Sequence, residues 1–233
     1  MSDNDSSMTE APTRRDYMKY GGAVVGGGLL GGCAGLSDSG TASESTSTGA
    51  GTPEDTSYSV TMSPVGEITF EEVPTNVMAY SPQYIDMLVA LGHEDALNAI
   101  GFNSYVEGLQ YFFDAFGGVS LPEDLQQLYN EGMDKELLYE LDSDVHLQDP
   151  AWVTSFDGWS KADTEEIKQN VGPWFANRYS REHTQPPEGW RDGYRYYTIW
   201  EITEKVSQVF REPERFQALK EEYETLYGHI RSN

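Results

Sequence analysis

Residues 76–92 read NVMAYSPQYIDMLVALG. The run from Asn76 to Tyr80 is short and apolar, as a buried strand is. Ser81-Pro82 then interrupts it. Proline has a fixed φ and no backbone N–H, so it suits the first turn of a helix, where that N–H has no partner anyway; Ser81 stands where an N-cap would. Apolar residues fill 84–91, and Gly92 follows, ready to adopt the left-handed conformation that ends a helix. Strand, tight loop and helix within one short stretch make a βα unit.

The alternation continues on both sides. Residues 58–62 and 67–70 read as strands around the turn Pro64-Val65-Gly66. After Gly92 the spacing predicts a strand over 95–102, helices over 105–116 and 133–141, and a strand over 144–147. A helix over 163–170, capped by Asp163, and a last short strand over 171–176 complete the series. Strands alternating with helices predict an α/β fold: a single Rossmann-like lobe with a largely parallel sheet. Ligands of such sheets bind beyond the carboxyl ends of the strands. Those ends fall at 81–84, 103–105, 148–152 and 177–179, loops rich in Tyr, Trp, Asn, Gln and Arg. Such side chains stack and hydrogen-bond.

The final stretch, 193–233, carries apolar residues at helical spacing: Ile199, Ile202, Val206, Val209 and Phe210, then Phe216, Leu219, Tyr223, Leu226, Tyr227 and Ile230. Pro213 breaks the pattern, because an interior proline removes a hydrogen bond and clashes with the preceding turn. The stretch is either one long kinked helix or two helices end to end. Taken by itself it also fits a helical hairpin closing a small domain.

The chain has 39 acidic against 15 basic residues, a formal net charge of −24. Nucleic acid is excluded as a partner, since its phosphates would be repelled. With only six lysines, so acidic a surface fits a protein kept soluble in high salt, where self-repulsion is screened: a halophilic type. The lone cysteine, Cys33, precludes an intramolecular disulfide.

Residues 13–33 read TRRDYMKYGGAVVGGGLLGGC. Arg14-Arg15 precede a short apolar run, in the order of a secretory signal. The segment from Thr13 to Lys19 resembles a twin-arginine export motif, and Leu30-Gly31-Gly32-Cys33 resembles a lipobox whose cysteine is lipidated. Residues 20–32 are too few to span a bilayer. No strand precedes the glycine cluster, so it is not read as a phosphate loop. Residues 1–33 are therefore expected to be a twin-arginine lipoprotein signal. Residues 34–57, dominated by Ser, Thr and Gly, are expected to be a disordered tether. The lipid on Cys33 would hold the chain on the extracytoplasmic face of the membrane, at the cell surface.

No nucleophile stands beside a base, and His93, His146, His183 and His229 form no local ligand pair. Neither an enzyme, a metal site nor a cofactor is expected. Export signal, tether and aromatic loops together suggest a receptor for a small solute.

The loops carry a further pattern. Residues 76–92 resemble the first strand–loop–helix of the substrate-binding proteins of ABC importers for ferric siderophores and cobalamin, with a strand ending in Ser-Pro and a helix ending in Ala-Leu-Gly. Residues 133–150, MDKELLYELDSDVHLQDP, resemble that family's helix, turn and strand, with Ser143-Asp144 where Pro-Asp is usual. Residues 197–227 resemble its long helix joining two lobes. The resemblance implies an N-terminal lobe over 58–193 and an interlobe connecting helix over 194–233, with the C-terminal lobe absent from this chain. It implies capture of a ferric siderophore, haem or cobalamin and delivery to a permease driven by a separate ATPase. The cleft would be formed by Tyr80, Gln83, Tyr84, Asn103, Tyr105, Gln148, Trp152, Asn177 and Arg178, with Arg178 pairing an acidic chelate and Trp152 and the tyrosines stacking on it. Glu136 aligns with a glutamate that docks on permease arginines. The alternative is a surface interaction or structural lipoprotein that reuses one lobe without transport. Under the connector reading, the helix after Pro213 is less buried than the part up to Phe210.

Overall fold

Four parallel strands form the central sheet in the order β5–β4–β3–β6: Gln126–Gln127, Leu97–Ile100, Val77–Ala79 and Val145–Leu147. The structure is a computed structural model that describes residues 56–116, 119–129, 133–179 and 184–232. The expected signal and lipid site, with Arg14, Arg15 and Cys33, and the expected tether as far as residue 55 lie outside the described residues. The segment expected as a last strand reduces to one parallel bridge, His146 with Trp174, held by His146 N–H to Pro173 O at 2.9 Å and Phe175 N–H to His146 O at 2.8 Å. Numbered along the sheet from β3, the order is 3-2-1-4, with the Trp174 bridge as an incipient fifth position. It is the doubly wound, Rossmann-like order, and its switch point lies between β3 and β6.

Helix α1 (Pro82–Leu91) leaves β3, and α2 (Asn103–Phe116) leaves β4. Gly92 ends α1 at φ +78°, as the sequence predicts. Helices α3 (Lys135–Leu141), α4 (Pro150–Val153) and α5 (Lys161–Asn170) follow in order. One apolar core unites α1, Phe113 of α2 and the antiparallel hairpin of β1 (Tyr58–Met62) and β2 (Gly66–Phe70). A second, built on Met78, Tyr80 and Ala99, takes up Leu138 of α3, Val153 of α4 and Ile167 of α5. The expected cap of α5 is corrected: Ser160 is its N-cap, and Asp163 answers from the third helical position to complete a capping box.

The long kinked helix is also corrected. Residues beyond 198 form two helices, α6 (Ile199–Val209) and α7 (Pro213–Ser232), folded back on each other. Trp200 and Tyr223 would lie about 34 Å apart on one straight helix, yet their ring centroids are 4.8 Å apart. The reversal is made by Arg211 at φ +55°, with Glu212 N–H bonded to Ser207 O at 2.8 Å and Arg211 N–H to Gln208 O at 3.3 Å. That is a Schellman closure with arginine where glycine is usual. The Arg211 guanidinium lies over the Tyr58 ring at 4.2 Å, and Pro213 then starts α7. Phe216 is buried at 1% exposure, while Tyr223, Leu226, Tyr227 and Ile230 are 44, 59, 48 and 63% exposed. No helix among the described residues is long and apolar enough to cross a membrane.

Candidate functional site at the sheet's carboxyl end

Each strand of the sheet leads into an aromatic residue: Tyr129 just past β5, Phe102 just past β4, Tyr80 directly after β3, and Trp152 in α4, the helix that follows β6. Their rings form a row in the order of the strands. Centroids are 5.0 Å apart from Tyr129 to Phe102, 5.9 Å from Phe102 to Tyr80, and 4.7 Å from Tyr80 to Trp152. Parallel strands end side by side, so the segments that leave those ends become neighbours. Tyr105 joins the row against Phe102 at 5.0 Å, and Phe156 joins it against Trp152 at 4.6 Å. The edge-to-face geometry of most of these pairs suits the quadrupoles of aromatic rings.

Arg178 closes the row. Its guanidinium sits over the Trp152 ring at 4.1 Å and donates from Nη1 to Ser81 Oγ at 3.2 Å. Ser81 therefore does not cap α1 with its side chain; the hydroxyl serves Arg178 instead. The Arg178 backbone N–H is held by Asp149 Oδ2 at 2.8 Å. Asp149 is buried and fully engaged: Oδ1 accepts from Ala151 N–H at 2.8 Å, capping α4, and Oδ2 also accepts from the Tyr194 hydroxyl. Burial outweighs those hydrogen bonds and pushes its carboxyl up to about 6. Burial, followed by the neighbouring Tyr105 and Tyr129, drives the Tyr80 hydroxyl well above the ordinary phenol range.

The residues singled out from the sequence divide into two groups. Tyr80, Tyr105, Trp152 and Arg178 come together in the row. Asn103 begins α2, its N–H on Gln127 Oε1 at 2.9 Å, and is exposed beside it. Gln148 is buried at the end of β6, with Nε2 3.5 Å from Asp149 O. Two others turn inward. The Tyr84 hydroxyl is buried, donating to Asn177 O at 3.1 Å and accepting from Asn177 N–H at 2.7 Å. Asn177 Nδ2 donates to Ser63 O and Arg195 O, both at 2.9 Å. These two are struts that fasten the last strand segment to α1 and to the β1–β2 turn; they offer a ligand no free donor. Gln83 is exposed, lining a groove with Phe112 and Phe113. Missed from the sequence are Ser81 as a partner of Arg178, Asp149, Phe102, Tyr129 and Phe156.

Glu136 lies exposed in the first turn of α3, where Asp134 caps the helix by accepting the Glu136 N–H at 2.9 Å. A concavity of about 1030 Å³ opens beside it, lined in part by Leu128, Met133, Lys135, Asp157 and Trp159. It lies off the aromatic row; the row, at the switch point, is where the topology places a ligand. Among the described residues, no group of three His, Cys, Asp or Glu side chains is placed to hold a metal ion.

No protein-family model matches the chain, and no curated protein does. Solved structures do. The siderophore-binding protein BauB, solved with a complex of two acinetobactin molecules and ferric iron, matches with a TM-score of 0.50 at 13% identity, over 76% of this chain and 53% of that one. The iron-uptake ABC transporter substrate-binding protein PiuA of Streptococcus pneumoniae gives 0.48 at 16% identity, over 75% of this chain and 51% of that one. The petrobactin-binding protein YclQ of Bacillus subtilis gives 0.46 at 11%, over 70% and 48%. The chain thus spans about half the length of the proteins it matches, and the half it matches shares the fold of BauB.

Proposed function

We propose that this chain is a lobe of an extracytoplasmic solute-binding protein of an ABC importer, and that its ligand is an anionic, aromatic-rich iron chelate of the siderophore kind. The observation that carries this reading is the row of four rings closed by Arg178 at the switch point. The rings offer apolar and π surface, and the guanidinium keeps donors for an acidic group. The likeness of fold to BauB supports the class of protein; the chelate is read from the row.

The rest of the reading follows the sequence. A twin-arginine signal exports the chain, lipid on Cys33 anchors it at the cell surface, and the acidic surface keeps it soluble in a saline medium. Glu136, exposed at the start of α3, docks on arginines of a membrane permease that a separate ATPase drives. The test is a thermal-shift and tryptophan-fluorescence screen of the chain with ferric siderophores, haem and cobalamin. Stabilisation by a ferric chelate is the expected result. A chain that answers to none of them is instead a surface lipoprotein reusing one lobe without transport.

A further inference from the structure

Gln83 stands apart from the aromatic row. With Pro82 and Asp86 of α1 it faces Leu109, Phe112 and Phe113 of α2 across a groove of about 430 Å³. Pro82 and Asp86 are four residues apart, as are Leu109 and Phe113, so each set shares one helical face. Phe113 is buried in the core and fixes that wall, while Phe112 is 59% exposed. Asp86 is the one ionisable group in the lining. Its carboxylate has no hydrogen-bond or ion-pair partner among the described residues, and burial raises its pKa above the ordinary value. The Gln83 amide has no partner among them either. A partly desolvated carboxylate between apolar walls lacks its counter-charge, and a concave site leaves room for a ligand that brings one.

We propose that this groove is a binding site for a small organic ammonium ion, with Asp86 as its counter-ion and the Phe112 and Phe113 rings as its walls. The size selects a small molecule. The volume lies in the small-ligand range of about 300–1,000 Å³, and six residues line the groove where a stable protein interface takes about 20 or more a side. The donor set selects an organic cation. A bare calcium or magnesium ion needs about six oxygen ligands or keeps its waters. One carboxylate and one amide are all the oxygen that the lining side chains offer. An alkylated ammonium ion needs a single counter-charge, gains from apolar contact, and is attracted to the face of a phenyl ring within about 6 Å.

A formal charge of −24 draws cations to the whole surface. What distinguishes the groove is a carboxylate already stripped of part of its water, set between rings. None of its lining residues belongs to the aromatic row, so the site does not depend on whether the row binds a chelate.

NMR titration of the chain with choline in molar potassium chloride tests this. At that salt the Debye length is about 3 Å, so loose attraction to the acidic surface is screened. The expected result is a saturable shift at the Gln83 side-chain amide and the Phe112 ring. The uncharged alcohol in which carbon replaces the ammonium nitrogen binds about tenfold or more weakly. Asp86→Asn loses about tenfold or more in choline affinity yet melts at or above the parent, since no internal bond is lost. Phe112→Ala loses several-fold. Glu107→Gln, at an exposed carboxylate of α2 outside the groove, keeps the parent's affinity. No saturable shift at Gln83 or Phe112, equal affinity for the uncharged isostere, or unchanged affinity in Asp86→Asn overturns the proposal. Equal losses in Asp86→Asn and Glu107→Gln overturn it too, since the cation would then be a loose counter-ion.

Discussion

Arg178 lies over the face of Trp152, with its central carbon 4.1 Å from the ring centroid. The stack orders a long side chain that would otherwise be free, and Ser81 fixes its rotation through one Nη1 hydrogen bond. Guanidinium is weakly hydrated and planar, so it tolerates a ring on one face and keeps edge donors for a ligand.

Ser81 separates two roles that the sequence alone confuses. As a helix cap, its loss to alanine would cost about 1 kcal/mol. Its hydroxyl is on Arg178 instead, so Ser81→Ala is expected to leave unfolding free energy within about 0.5 kcal/mol of the parent. Affinity for an anionic ligand should fall several-fold. Urea denaturation beside a ligand titration checks both halves.

Two buried groups give the lobe opposing pH dependences. His146 is enclosed against Trp174 with Nδ1 3.1 Å from Gly172 O and no partner for Nε2, and burial lowers its pKa to about 4. Its contribution is present above about 6.5 and is lost as pH falls through about 4. Asp149, raised to about 6, contributes most below about 3.8 and loses that contribution as pH rises through 6. Each swing is about 3 kcal/mol, of opposite sign, so the two nearly cancel between pH 4 and 6.5. His146→Gln should therefore gain stability as pH falls across that window relative to the parent, and Asp149→Asn should lose it. Asp163, held down to about 2 first by Lys135, acts alike in all three proteins. Denaturation midpoints at several pH values decide; parallel profiles for the two variants would refute the assignment.

What was legible in the sequence is what carries its own punctuation. Ser81-Pro82 and Gly92 bracket α1 because proline and glycine act locally. Strand β5 gave no such sign: Gln126–Gln127 is polar and two residues long, and its place comes from β4, with Leu128 N–H on Ile100 O at 2.8 Å. Tyr129, just past that unseen strand, was lost with it. Phe102 was absorbed into the expected strand over 95–102. The reversal at Arg211 hid because an arginine, and no glycine, takes the positive φ. Tyr84 and Asn177 look like ligand residues in a loop; only the fold turns their polar atoms on each other.

The α6–α7 hairpin divides its apolar stripe sharply. Phe216→Ala should destabilise by about 3–5 kcal/mol, since its ring is enclosed beside Trp200. Leu226→Ala and Ile230→Ala should change stability by less than about 0.5 kcal/mol at low protein concentration. Equal costs at all three sites would mean that the outer half of α7 is packed against the lobe.

Gly92 is close to irreplaceable where α1 meets α7. Its φ is +78°, and a Cβ there would lie 2.5 Å from Arg215 Nη1, whose Nε donates to Ala90 O at 2.7 Å. Gly92→Ala is expected to cost about 1–3 kcal/mol from backbone strain and the displaced arginine. Thermal denaturation reads this directly, and an unchanged melting temperature would contradict it.

The most direct measurement of the binding account is a tryptophan-fluorescence titration of the chain with ferric chelates, run in parallel on Arg178→Ala. Trp152 lies within the site, so occupancy should change its emission and saturate. The account predicts a saturable change in the parent and a loss of affinity of about tenfold or more in Arg178→Ala, with the fold intact. No saturable change with any chelate, or equal affinity in both proteins, would contradict it.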